Sequence, residues 1–130
     1  MSKNCNAPLH PDARLGIRRF NQKKFWDAHE ALEDAWNDEP DAVRDLYRGI
    51  LQEAVVYHHL SCENLRGAQK VYARSQKWLQ GWDAVCRGVD IKRLQNDLDA
   101  ALEIANRLGS EKIAAYDFYP KIRMAENDEQ

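Results

Sequence analysis

The chain has 130 residues, 31% of them charged and 44% hydrophobic, with a formal net charge of −2. That is enough for one domain with its own core, and it excludes a general nucleic-acid binder, which would carry a basic surplus. No apolar run approaches the ~20 residues of a membrane span, and the polar opening does not read as a signal peptide. Three scattered cysteines (Cys5, Cys62 and Cys86) without a Cys-x-x-Cys pair predict reduced thiols and a soluble, cytoplasmic protein.

Helical periodicity runs through the chain, and strand signals are nearly absent. Residues 1–10 read as a flexible lead-in to a single helical domain over 11–124, with an acidic, disordered tail at 125–130. A first helix spans about 11–21, with Pro11 at its start. Its basic residues and those of the turn after it (Arg14, Arg18, Arg19, Lys23, Lys24) suit a solvated face. A second helix covers about 25–37. Glu39-Pro40-Asp41 then breaks the chain and offers Asp41 as an N-cap.

The third helix, about 41–62, is apolar nearly all round, as expected of a buried central helix. Gly49 lies within it, at a cost of about 1 kcal/mol in helix propensity, which predicts close approach of a neighbouring helix there. Asn64 caps a fourth helix, about 65–86, which Gly81 bends or ends early. A fifth begins at Asp90 and carries a stripe from Ile91 to Leu108, closed by Gly109. Ile113, Tyr116, Phe118, Tyr119 and Ile122 then form a segment laid across the bundle. The fold class is all-α: about five helices around a central one. A faint echo lays Lys24–Ala28 over Asn64–Ala68 at a shift of 40 residues.

The second helix carries the most informative pattern. At 3.6 residues per turn, Phe25, Trp26, His29, Leu32, Glu33 and Trp36 share a side, with Asp27, Glu30 and Asp34 opposite. This aims His29 and Glu33 inward, where imidazole and carboxylate both need partners. On the third helix Arg48, Gln52 and His59 share a face with Val55 and Val56. Antiparallel packing would bring His29 and Glu33 against Gln52 and His59, a donor set suited to zinc or manganese better than magnesium. The competing reading is a buried Glu33–His59 or Glu33–His29 pair that is hydrogen-bonded and inert. Cys62, one turn from His58 and His59, permits a thiol–imidazole pair but is more simply a small buried cysteine.

The run Phe25-x-x-Ala28-His29-Glu30-x-Leu32-Glu33-x-x-Trp36 resembles the signature of an uncharacterised bacterial and archaeal family, domain of unknown function 309. Gly49-Ile50-Leu51-Gln52 and Tyr57-His58-His59 with Asn64-Leu65-Arg66-Gly67-Ala68 resemble its second signature, over about residues 12 to 85 in all. Such proteins are small, all-helical and catalogued as predicted metal-dependent hydrolases. The resemblance implies a shared polar centre at His29, Glu33, Gln52 and His59. Either His58 or His59 can be the family histidine, and the helical face favours His59. The chain departs from the pattern at Glu63, where the family tends to have Gly.

Two functions follow as expectations. The first is a metal-dependent hydrolase of an unknown small molecule, with the ion on His29, Glu33 and His59. Gln52 would orient water or substrate, Glu30 or Glu53 would act as base, and Arg48 would hold an anionic group. The second is a non-enzymatic helical interaction module, including a homodimer, in which the same residues form a structural network. Gly49, Asn64 and Trp36 serve structure in both.

Overall fold

The computed structural model describes residues 4–125. Its helices are α1 (Pro11–Asn21), α2 (Phe25–Asp38), α3 (Arg44–Ser61), α4 (Leu65–Leu79) and α5 (Ile91–Lys112). The core runs through all five, and α3 is its axis: Leu46, Tyr47, Ile50, Ala54, Val56, Tyr57 and Leu60 are buried. No helix among the described residues is long and apolar enough to cross a membrane. Most of the tail expected at 125–130 lies outside the described residues.

The sequence echo is a repeated corner. The chain leaves α1 through Lys23 (φ 64°) and α3 through Glu63 (φ 61°), both left-handed, before α2 and α4 begin two residues later. In each corner the residue after the left-handed one returns its N–H to a carbonyl five back, Lys24 to Arg19 (2.9 Å) and Asn64 to His59 (2.8 Å). This closure satisfies the last carbonyls of the helix. Glycine takes the left-handed conformation at no steric cost, and here Glu63 adopts it. Asn64 then caps α4 as expected, its Oδ1 accepting from the Gly67 N–H at 2.9 Å.

Gly49 marks a close crossing. A Cβ there would stand 2.7 Å from Leu79 Cδ2 and 3.2 Å from Trp78 Cβ, so α4 lies directly on α3 at this point. Helix α4 ends at Leu79, before the expected 86, and Gly81 follows in a left-handed conformation (φ 83°). The chain then makes a hairpin, β1 (Val85–Cys86) and β2 (Val89–Asp90). Arg87 and Gly88 both have positive φ (51° and 82°), as a type I′ hairpin turn requires. Strands this short leave no alternating pattern to read. In α5, Gly109 (φ 69°) interrupts the helix as expected, and one further turn continues to Lys112.

The last described segment lies across the bundle. Ile113, Tyr116 and Ile122 are buried, and Ile122 exchanges two hydrogen bonds with the Asn21 side chain (3.0 and 2.8 Å). Asp41 is not the cap of α3, which begins at Arg44. Its carboxylate instead accepts from Asn4 (3.0 Å) and Arg87 (3.4 Å).

The expectation of reduced thiols is corrected: Cys5 and Cys86 form a disulfide, their Cα atoms 4.4 Å apart across 81 residues of sequence. A pair so widely separated gives no spacing signal. Arg87, 6% exposed, reinforces the join by donating to the carbonyls of Asn4 (2.8 Å) and Pro8 (3.3 Å) and pairing with the buried Glu39 (3.2 Å). Residues 4–10 before α1 are thereby tied to the hairpin and to the α2–α3 link. Closing so long a loop stabilises by up to about 4 kcal/mol through unfolded-state entropy. Because Arg87 holds the same segment, Cys5→Ser is expected to cost about 2 kcal/mol. Urea unfolding of the oxidised protein against the variant measures it, and coincident curves would contradict it.

Candidate functional site: a polar groove along the central helix

Helix α3 is covered on every side but one. Its residues that keep some exposure include Arg44, Arg48, Gln52, Val55 and His59, a stripe at helical spacing with His58 beside its end. Helices α2 and α4 wall this stripe, both antiparallel to α3. Against α2, Trp36 meets Arg44 and Arg48 at one end and Trp26 meets His58 at the other. Against α4, Arg48 meets Trp78 at one end and His59 approaches Asn64 and Gly67 at the other. This register sets His29 and Glu33 alongside the stretch from Gln52 to His59. The result is a shallow groove floored by the polar residues that sequence reasoning selected.

The groove has an imidazole end. Trp26 and His29 stack with ring centroids 4.6 Å apart, Trp26 and His58 lie at 5.1 Å, and His58 and His59 at 6.0 Å. His59 Nδ1 is 3.2 Å from the Asn64 amide nitrogen. The cap bond fixes that amide's orientation, so Nδ1 accepts and the ring proton sits on Nε2. Burial, and then the neighbouring His58, lower the His59 pKa, and the ring is neutral at neutral pH. Cys62 is exposed rather than buried, 3.9 Å from His58 Nε2.

Glu33 does not point inward. The buried side of α2 is Phe25, Ala28, Ala31, Leu32 and Ala35. Alanines let α2 lie close on its neighbours, and that stripe rotates Glu33 into solvent together with Glu30. Trp26, also expected inside, is 49% exposed. The small residues Ala28, Ala31 and Ala35, more than the tryptophans, set the buried face of α2. Among the described residues no hydrogen bond or ion pair joins Glu33 to His29 or His59. Nor do any three of the described His, Cys, Asp and Glu residues gather as a metal would require. The set His29, Glu33 and His59 therefore does not fit a three-ligand metal centre. Glu53 is not a base for this groove: it is 1% exposed in the core, within electrostatic reach of Asp97 on α5.

Along the floor, three buried polar atoms have no protein partner: His29 Nδ1, Trp36 Nε1 and Gln52 Oε1. An inert network would have paired them, since each unmade bond costs about 1–3 kcal/mol. Trp36 and Trp78 flank Arg48, whose guanidinium lies 5.0 and 4.3 Å from their ring centres. The walls differ in charge. Helix α2 exposes Asp27, Glu30, Glu33, Asp34 and Asp38, whereas α4 exposes Arg66, Lys70, Arg74 and Lys77.

The elements that build the imidazole end coincide with a known sequence family. Residues 13–71 match the domain of unknown function DUF309. Over 59 residues the chain is also 34% identical to the uncharacterized protein YpuF of Bacillus subtilis (strain 168), covering 45% of this chain. The chain spans about a third of that relative's length, at 34%. The DUF309 segment contains His29, Trp36, Arg48, Gln52 and His59 and both left-handed corners, and it stops within α4 before Arg74, Lys77 and Trp78.

Proposed function

We propose that the protein binds a small organic molecule in the groove along α3. The observation that carries this reading is the row of buried polar atoms without partners, His29 Nδ1, Trp36 Nε1 and Gln52 Oε1, on the facing sides of α2 and α3. Natural proteins keep few such atoms and a bound ligand is one reason for keeping them; Glu53 Oε1 and Tyr57 OH, unpartnered in the core, lie apart from the groove. Gln52 and Arg48 on the floor and the Nε2–H of neutral His59 at the end supply contacts of different kind along the groove. Hydrolysis of the bound molecule is the finer reading, supported by the family resemblance. For it, the His59 Nε2–H would serve as a donor to an oxyanion. A docking module is the second reading, and the large exposure of Trp26 favours it.

The test compares wild type with Gln52→Leu and His59→Ala in a thermal-shift panel of small organic acids, esters and phosphate esters. Hydrolysis is followed with p-nitrophenyl acetate and p-nitrophenyl phosphate. Gln52→Leu is expected to change stability by no more than about 1 kcal/mol, because its Oε1 has no bond to lose. At least one compound should raise the wild-type Tm and leave both variants unmoved. A Gln52→Leu loss above about 2 kcal/mol with no stabilising compound would return the residue to a purely structural role.

A further inference from the structure

We infer that the Arg48 end of the groove is a phosphate site, and that the molecule bound there is a small phosphate monoester; this rests on the groove reading above. A cleft of about 360 Å³ opens between α3 and α4, lined by Arg48, Gln52, Ala73, Arg74, Lys77 and Trp78. Three cations line it and no carboxylate does, in a chain whose formal net charge is −2.

Arg48, Arg74 and Lys77 have no carboxylate partner among the described residues, a state they share with most of the chain's arginines and lysines, so the setting of Arg48 is what distinguishes the cleft. Arg48 is pre-set. Trp36 and Trp78 flank its guanidinium, and Lys77 Nζ lies 4.8 Å from the Trp78 ring centre. None of the Arg48 guanidinium N–H groups meets an acceptor among the described residues. A planar fork held this way matches two oxygens of a phosphate. A monoester phosphate carries nearly two negative charges at neutral pH, which suits three cations better than a carboxylate. The cleft's volume leaves room for a few carbon atoms beyond the phosphate. From there the groove continues past Gln52 toward His59.

A second basic hollow, bordered by Arg14, Arg18 and Lys121, supplies the control, because it has the charge without an aromatic clamp. The experiment is calorimetric titration of the full chain with glycerol 3-phosphate, inorganic phosphate and acetate. Wild type should bind glycerol 3-phosphate with one saturable site, and inorganic phosphate more weakly at the same site. The exposed pair Arg74→Gln/Lys77→Gln should weaken both at least tenfold, while Arg14→Gln/Arg18→Gln leaves them unchanged. Absence of saturable phosphate binding, equal losses in the two double variants, or acetate binding as tightly as phosphate would each overturn the inference. Were a neutral compound still to stabilise the protein through Gln52, the groove reading would survive that failure. Inorganic phosphate binding as tightly as the ester would overturn the monoester and leave a site for the free ion.

Discussion

Gly49→Ala is expected to destabilise the protein by about 2 kcal/mol, and Gly49→Val by about 4 kcal/mol. The sign is not trivial. On an isolated helix, replacing glycine with alanine gains about 1 kcal/mol. Here the new methyl would stand 2.7 Å from Leu79 Cδ2 and 3.0 Å from its Cγ, and Leu79 is buried. Trp78 Cβ, at 3.2 Å, is held by the backbone of α4. The contact with Trp78 Cβ is relieved by moving α4 away from α3, which opens the core at the crossing. The same movement draws Trp78 from Arg48, so phosphate affinity should fall together with stability. Urea unfolding and the glycerol phosphate titration check the two effects. An alanine variant as stable as wild type would mean that the crossing yields and propensity dominates.

Gly49 also shows which parts of this fold can be read in sequence. A glycine inside an otherwise apolar helix is a local defect with one common structural reason, so the crossing was legible. The same holds for α1, for the apolar circumference of α3, and for the stripe of α5 ending at Gly109. Each is a periodic signal carried by consecutive residues. The hairpin at 85–90 was not legible, because its two strands are two residues long and its turn uses Arg87 in a left-handed conformation. The disulfide joins residues 81 positions apart, and only tertiary geometry brings them together.

The site was legible in composition more than in arrangement. His29, Gln52, His59 and Arg48 do line one groove, because helical phase fixes which residues share a face. Glu33 failed for a reason of packing. Ala28, Ala31 and Ala35 carry little hydrophobic weight, so the pattern was drawn through Trp26 and Trp36. Yet it is the small residues that let α2 approach its neighbours. Arg74 and Lys77 gave no sign at all. As lysines and arginines on an amphipathic helix they read as a solvated face, and only their place beside the clamp on Arg48 sets them apart.

Glu53→Gln is expected to stabilise the protein at neutral pH and to do nothing at pH 4. The Glu53 carboxyl is 1% exposed and its Oε1 has no partner, and the hydroxyl of Tyr57, one turn on, has none either. Burial, and secondarily the charge of Asp97, hold its pKa well above the ordinary range. The native state therefore keeps a proton that the unfolded chain releases. Between the two pKa values native Glu53 binds more protons than unfolded Glu53, so stability falls as pH rises, by about 1.4 kcal/mol per unit. Below the unfolded value both states are protonated and the term vanishes. Glutamine keeps the shape and removes the titration. The gap between variant and wild type should open above the ordinary carboxylate range and widen with pH. Urea unfolding at pH 4, 5, 6 and 7 measures it. Parallel pH curves for the two proteins would show that Glu53 ionises in the core at little cost. The phosphate titration adds the functional half: Glu53 lies beyond the groove, so Glu53→Gln should bind glycerol 3-phosphate as wild type does. A variant that is more stable yet loses binding would mean that the packing around this buried acid reaches Arg48.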